Sequence, residues 1–148
     1  VAGRIIARVI ARVEGTRPLL PGVREALELC KREALKIGLA SASPLYMLER
    51  MMALFDLRYY FDVLASAEKL PYSKPHPQVY LDAARGLGVD PLNCVTLEDS
   101  CNGMIATKAA RMRSIVLPAA DNRQDARWAL ADVRLASLTA LTAAHLLG

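Results

Sequence analysis

The sequence has no long hydrophobic run, few aromatic residues and only three cysteines. No stretch reaches the 18 or so uncharged apolar residues of a transmembrane helix, because charged residues break every apolar run. The net charge of +4 comes without any cluster of Lys and Arg interleaved with aromatic residues, which disfavours nucleic acid as a partner. Cys30, Cys94 and Cys101 lack metal-site spacing. We therefore expect reduced thiols, a cytoplasmic location, and neither a membrane nor a nucleic acid as partner.

The apolar content is high for a chain with so few aromatic residues. Hydrophobic residues make up 53% of the 148 residues, and aromatic residues only 5%. Most of the apolar residues are Ala, Leu, Val and Ile, a composition that suits helices packed against a buried sheet. The length is that of one ordinary domain.

The first residues have a helical pattern that ends at two prolines. In residues 1–14, apolar positions recur at helical spacing beside an arginine stripe that runs from Arg4 to Arg12. We interpret this segment as an amphipathic helix with a solvated basic face; a helix that addresses a membrane surface is the alternative. Residues 15–22 contain two prolines and two glycines, and we expect a hinge there. Because the pattern starts at Val1 without a cap, we interpret the chain as part of a longer protein.

Beyond the hinge, short apolar runs alternate with helical patterns. The predicted strands are residues 37–42, 61–67, 94–99, 114–118 and 132–137. The predicted helices are residues 22–35, 44–54, 76–87, 102–112 and 137–148. This alternation predicts an α/β fold with a parallel sheet. Ligands of such sheets bind outside the carboxyl ends of the strands, so the residues that follow each strand are the candidates for a site.

Two strand ends provide groups that suit an anion. Ser41 offers a hydroxyl and neighbouring backbone N–H groups in a loop that opens a helix, an arrangement that binds anions. The alternative is that this serine only packs tightly or caps the helix. Lys74 lies in the sequence SKPHP, where flanking prolines stiffen the backbone and can direct a point charge at a phosphate. The alternative for Lys74 is an ordinary solvated lysine.

Adjacent carboxylates follow the predicted strand 94–99. Glu98 and Asp99 would repel each other if buried, and a divalent cation removes that cost. Mg²⁺ takes few protein carboxylates and shares its other positions with water and substrate phosphate. The alternative is that Asp99 or Ser100 caps the next helix. The hydroxyl, the ammonium and the paired carboxylates together predict a site for phosphoryl transfer.

Three segments carry a resemblance to a known family. They are LASAS (39–43), SKPHPQVY (73–80) and LEDSCNGMIATKAA (97–110). With these motifs the chain resembles the haloacid dehalogenase superfamily, in its β-phosphoglucomutase-like branch, and within that branch the hexitol and 2-deoxyglucose-6-phosphate phosphatases. The resemblance implies a three-layer Rossmann-like core. It also implies that 1–14 is a remnant of a helical cap, 15–22 a hinge and 23–148 a partial core.

The resemblance also implies a role for each candidate residue. Ser41 would bond a phosphate oxygen, and Ala42 would assist through its backbone N–H. Lys74 would balance the charge of the phosphate and the nucleophile. Asp99 would bind Mg²⁺, and Glu98 would assist directly or through a metal-bound water.

The sequence departs from the family at the nucleophile. Family members carry a central strand that ends in Asp-x-Asp-Gly, whose first Asp forms an aspartyl-phosphate and whose second is the general acid–base. No Asp-x-Asp occurs in this sequence. We expect this strand and most of the cap to be absent, which would leave two open strand edges and a hydrophobic slot.

The resulting functional prediction is the core of a Mg²⁺-dependent phosphatase that is inactive by itself. Its substrates would be small phosphorylated sugars or sugar alcohols, and the longer protein would be a monomer. Two alternatives stay open. One is a non-catalytic module that binds phosphate or a partner strand, and the other is a fragment of a sugar-phosphate mutase, since the discriminating cap is missing.

Overall fold

The fold is a six-stranded parallel sheet covered by helices. The computed structural model describes residues 5–7, 22–118 and 122–148. The strands are β1 (Ile5–Ala7), β2 (Ile37–Ser41), β3 (Val63–Ser66), β4 (Val95–Glu98), β5 (Arg113–Val116) and β6 (Val133–Arg134). The helices are α1 (Val23–Arg32), α2 (Leu45–Leu54), α3 (Gln78–Leu87), α4 (Cys101–Ala109) and α5 (Ala143–Leu147). No helix in these ranges is long and apolar enough to cross a membrane.

The strand order is β3-β2-β1-β4-β5-β6, with every neighbouring pair parallel. This is the doubly wound order, in which crossover helices cover both faces of the sheet. Apolar residues of α1, α2 and the C-terminal elements form one core with residues such as Leu39 and Leu97. Residues of α3 and α4 form a second core around Ala40. The predicted α/β fold with a parallel sheet and helical layers is confirmed.

Side chains alternate between the two faces along β4. Val95 and Leu97 belong to the core beneath α1 and α2. Thr96 lies on the opposite face, where its hydroxyl is 3.0 Å from that of Thr107 in α4. Because the side-chain period of a strand is two, Glu98 extends into the same layer as Thr96. The glutamate therefore lies between the sheet and helices α3 and α4.

The predicted strands and helices after residue 22 are present, with bounds that differ by a few residues. The last strand is shorter than predicted, since only Val133–Arg134 pair with β5. The predicted helix 137–148 is two pieces, a 3₁₀ turn over Leu138–Ala140 and the short α5. Further 3₁₀ turns, at Arg58–Tyr60, Pro91–Asn93 and Ala126–Leu130, lie in connections that have no clear periodicity.

The prediction for the N-terminal segment is wrong where the structure describes it. Ile5–Ala7 form a strand and not part of an amphipathic cap helix. This strand pairs with β2 on one side and with β4 on the other, so the predicted open edges are not found there. Ile and Val are strong strand formers, and the sheet provides hydrogen bonds on both sides, which outweighs the helical spacing. The rest of 1–14, and the hinge 15–22 apart from Gly22, lie outside the described residues.

Helix α3 approaches the sheet closely because two glycines face one valine. A Cβ on Gly38 of β2 would lie 2.8 Å from a methyl carbon of Val63. A Cβ on Gly86 of α3 would lie 2.6 Å from the other methyl carbon of the same valine. Real Cβ atoms do not approach other carbons so closely, so both positions require glycine while Val63 is present.

We expect Gly86→Ala to lower the free energy of unfolding by about 1–2 kcal/mol, because overpacking against Val63 exceeds the gain in helix propensity. The double variant Gly86→Ala/Val63→Ala should lose less free energy of unfolding than the two single variants lose in sum, by more than about 0.5 kcal/mol. Chemical denaturation measures each value. Arg85→Ala, whose parent side chain is 79% exposed, is the matched helix control and should change stability by less than about 0.5 kcal/mol. Strict additivity would contradict the proposed close contact.

Candidate functional site

The Lys74 side chain is buried at the carboxyl edge of the sheet. Lys74 lies in the loop between β3 and α3, and its side chain is only 6% exposed. Its Nζ atom donates to the carbonyl oxygen of Ala40 at 3.2 Å and lies 4.8 Å from the centre of the Tyr80 ring. The same atom is 3.6 Å from Oε2 of Glu98. The structure thus joins the lysine to the end of β2 and to the end of β4.

The Glu98 carboxylate is fully buried and accepts from several donors. The Tyr80 hydroxyl donates to Oε2, the oxygen that faces Lys74. The backbone N–H of Asp99 and the hydroxyl of Ser100 donate to Oε1, each at 3.2 Å. A buried carboxylate needs such donors, because an uncompensated buried charge is strongly destabilising.

The start of α4 is shaped around this carboxylate. Ser100 caps the helix, since its Oγ accepts from the backbone N–H of Gly103 at 3.0 Å. Gly103 carries no side chain where a Cβ would overlap the carboxyl group of Glu98. A glycine within a helix costs about 1 kcal/mol relative to alanine, and here the close approach of Glu98 explains its presence.

The end of β2 provides the predicted hydroxyl. Ser41 is 2% exposed, and its Oγ accepts from the backbone N–H of Ser43 at 3.1 Å. The Ser66 hydroxyl donates to the carbonyl of Ser43 at 2.6 Å, which fixes the turn between β2 and α2. Ala42 is exposed and lines the adjoining pocket.

A polar pocket of about 400 Å³ opens beside Lys74. Its lining residues come from the loop after β2, the Lys74 loop, the start of α4 and the segment after β5: Ala42, Ser73, Lys74, Ser100, Cys101, Asn102, Asn122 and Arg127. Within the described ranges, the buried Oδ1 of Asn122 has no hydrogen-bond partner.

Two charged residues fix one wall of this pocket. Asp125 accepts from the Arg127 guanidinium at distances of 2.7 to 3.2 Å. These hydrogen bonds hold the pKa of the Asp125 carboxyl well below its usual range. The pair connects the half-exposed Arg127 side chain at the wall to Asp125.

Cys101 lines the pocket, but its thiol lacks the properties of a reactive nucleophile. Its side chain is buried, and burial raises the pKa of the thiol above the usual cysteine value. Reactive cysteines have a lowered pKa, so the geometry favours a structural role. All three cysteines are free thiols, as the sequence predicts.

The structure brings most of the predicted site residues to one edge of the sheet. Lys74 contacts the residue before Ser41 and also Glu98, while Asp99 follows directly after β4 and is 6% exposed. The Glu98 carboxylate turns into the layer below the edge, which the motif alone did not reveal. Sequence reasoning also missed Tyr80 and Gly103. Their signals were a tyrosine six residues after Lys74, in the first turn of α3, and a glycine within a helix.

Comparisons with known proteins identify the family of the chain. Residues 2–111 match the family described as haloacid dehalogenase-like hydrolase. The chain belongs to this hydrolase family. It is 70% identical to hexitol phosphatase B of Escherichia coli K12 over all 148 residues, which cover 67% of that relative. This family membership and this relative relate the chain to the sugar phosphatases of the superfamily.

Solved structures of this hydrolase family share the fold. The crystal structure of CbbY from Rhodobacter sphaeroides with phosphate is 35% identical, with a TM-score of 0.78 over 86% of this chain. β-Phosphoglucomutase from Clostridium difficile is 30% identical, with a TM-score of 0.75 over 92% of this chain. The chain spans only 58% and 57% of these two proteins. The branch predicted from the motifs is thereby confirmed.

We expect Gly103→Ala to lower the free energy of unfolding by about 2–3 kcal/mol, because the new methyl group would overlap the buried carboxyl of Glu98. Thermal or denaturant unfolding measures the loss. Asn102→Ala, at the exposed neighbouring position of the same helix, is the control and should stay within about 0.5 kcal/mol of the parent. Equal stability of the two variants would show that α4 does not depend on this close approach.

Proposed function

We propose that the protein carrying this chain is a Mg²⁺-dependent phosphatase of small phosphorylated sugars or sugar alcohols. The observation that carries the proposal is the buried Lys74 ammonium, which lines a polar pocket at the end of β2. A cation with little access to bulk water attracts a phosphate more strongly than a solvated lysine does. The sugar-phosphatase relatives support this assignment.

The phosphate would be held by three groups. The Lys74 ammonium neutralises phosphate charge, and the Ser41 hydroxyl and the Ala42 backbone N–H donate to phosphate oxygens. Ser41 and Ala42 lie at a buried strand end and in the turn after it, and Lys74 is already bonded to the Ala40 carbonyl, so little reorganisation is needed when phosphate binds. The N-terminal end of α4 borders the same pocket and adds a favourable partial positive charge.

Asp99, directly after β4, is the carboxylate that we propose for a magnesium ion. The described ranges contain no cluster of three His, Cys, Asp or Glu residues that could hold a metal alone. Mg²⁺ needs only one or two protein carboxylates when water and substrate phosphate fill its other positions. We assign Asp99 as the direct ligand and Glu98 as the group that supports it, since Glu98 already accepts from several donors. The bound ion would neutralise charge on the phosphoryl oxygens.

The nucleophile would come from outside this chain. No Asp-x-Asp occurs in the sequence, and about a third of hexitol phosphatase B is unmatched. In the proposed reaction the first aspartate of the missing Asp-x-Asp motif is the nucleophile, and its carboxylate oxygen attacks phosphorus. The bond from phosphorus to the sugar oxygen breaks, and the sugar oxygen takes a proton. Water then hydrolyses the aspartyl-phosphate to release orthophosphate. The 148-residue chain would bind phosphate but not turn it over.

The pocket suits a hydroxyl-rich substrate. Two asparagines, Asn102 and Asn122, and Arg127 line it beyond Lys74. The exposed Asn102 amide would exchange hydrogen bonds with sugar hydroxyls. A mutase is the second candidate, because the similarity to β-phosphoglucomutase covers 92% of this chain.

A chimera tests the function directly. This chain would replace its matching segment in the E. coli hexitol phosphatase B, and release of orthophosphate would be measured with a hexitol phosphate and 2-deoxyglucose 6-phosphate. We expect turnover with Mg²⁺, none after chelation, and recovery when Mg²⁺ is added back. Conversion of β-glucose 1-phosphate to its 6-phosphate, without orthophosphate release, would instead establish a mutase. No turnover of any kind in a folded chimera would overturn both candidates.

In the same chimera, Lys74→Ala and Asp99→Ala should each lower kcat/KM by about a hundredfold or more, because each removes charge stabilisation in a desolvated site. Lys69→Ala, an exposed lysine of the same loop, is the matched control and should stay within about twofold. Wild-type kcat/KM in both site variants would show that these residues are assigned wrongly.

A further inference from the structure

We propose that Tyr80 is a positioning residue that keeps the Lys74 ammonium available to phosphate by occupying the competing oxygen of Glu98. The inference rests on the phosphate role proposed above for Lys74. It concerns a tyrosine of α3 that is fully buried and touches both members of the Lys74–Glu98 pair.

The contacts of Tyr80 are specific to this pair. Its hydroxyl donates to Oε2 of Glu98, while its ring lies 4.8 Å from Nζ of Lys74. A cation over an aromatic face is held by the electrostatic field of the ring. Tyr80 therefore orients the Glu98 carboxylate through its hydroxyl and contacts the Lys74 ammonium through its ring.

The hydroxyl and the ammonium compete for the same oxygen. Nζ of Lys74 is 3.6 Å from Oε2, which is longer than a charged hydrogen bond, whereas Nζ bonds the Ala40 carbonyl at 3.2 Å. A buried carboxylate oxygen that loses a donor is costly, and the nearest cation relieves that cost by moving closer. Without the Tyr80 hydroxyl, the ammonium is drawn towards Glu98 and away from the phosphate. Tyr80 thus sets the distance between the Lys74 ammonium and the phosphate of the substrate.

The chain contains a matched control for this contact. Tyr60 is also buried, and its hydroxyl donates to Oε1 of Glu28. That pair joins α1 to the turn at Arg58–Tyr60 and does not include Lys74. Tyr60→Phe and Tyr80→Phe each remove a hydrogen bond from a tyrosine to a glutamate. The first bond is partly buried and remote from the pocket, with an exposed glutamate as acceptor, and the second is buried beneath the pocket.

The experiment compares these two variants by two measurements. Orthophosphate affinity is measured on the 148-residue chain with Mg²⁺ by calorimetry, and kcat and KM are measured in the chimera. For Tyr80→Phe we expect affinity and kcat/KM to fall about tenfold, since a small misplacement of a catalytic charge has effects of this size. Tyr60→Phe should lower thermal stability and leave both quantities within about twofold. Equal effects of the two variants would reduce Tyr80 to a structural role and overturn the proposal.

A double-mutant cycle tests whether Tyr80 acts through Glu98. In a Glu98→Gln background the competing charge is absent, so adding Tyr80→Phe should change orthophosphate affinity by less than about twofold. If Tyr80→Phe alone folds poorly, the comparison of Glu98→Gln with the double variant is still available, because the double variant leaves no buried carboxylate short of a donor. A tenfold loss that persists in this background overturns the proposal.

The two proposals fail in different ways. If the parent chimera hydrolyses no sugar phosphate, but Tyr80→Phe alone weakens orthophosphate binding, the phosphatase function is wrong and the positioning role stands. If the parent chain binds no orthophosphate and Lys74→Ala does not change turnover, the phosphate role of Lys74 is wrong, and the positioning role falls with it.

Discussion

The buried carboxylate of Glu98 is the charge on which the edge of the sheet depends. Its donors come from α3 and from the turn that starts α4, and its ion-pair partner comes from the Lys74 loop, so one side chain connects three segments. A charge in this position requires all of these partners, because each lost donor leaves part of the desolvation cost without compensation. The contacts of Glu98 between the sheet and helices α3 and α4 therefore hold the edge of the sheet in its conformation without a ligand.

The sequence was sufficient to predict that the candidate residues lie at one edge of the sheet, and the reason is the topology of parallel sheets. Every strand ends at the same edge, so residues that follow apolar runs must come together there even when they are far apart in sequence. Ser41, Lys74 and Asp99 were found in this way, and the helices between them followed from apolar periodicity. Strand alternation could in principle have given the inward direction of Glu98. It could not have given its donors, since the Tyr80 contact depends on how closely α3 packs.

The N-terminal segment shows where such reasoning fails. Its apolar spacing favours a helix, but the spacing describes only the isolated segment. A position between β2 and β4 offers backbone partners on both sides, and Ile5–Ala7 take it. Tertiary pairing overrides local preference most easily in short segments, because few residues need to change state.

Because β1 lies in the middle of the sheet, it forms the junction between two halves, β3-β2 and β4-β5-β6; we call this junction the seam. The strands β2 and β4 do not pair with each other; within the described ranges, three residues of β1 supply the backbone hydrogen bonds that hold the two halves of the sheet together. The groups proposed for phosphate, Ser41, Ala42 and Lys74, follow β2 and β3, whereas Glu98 and Asp99 follow β4. The site therefore straddles the seam, and any sliding of one half against the other changes the distance between its cation and its carboxylates. The alignment of the chemical groups is thus a property of the whole sheet, set by whatever strand fills its middle.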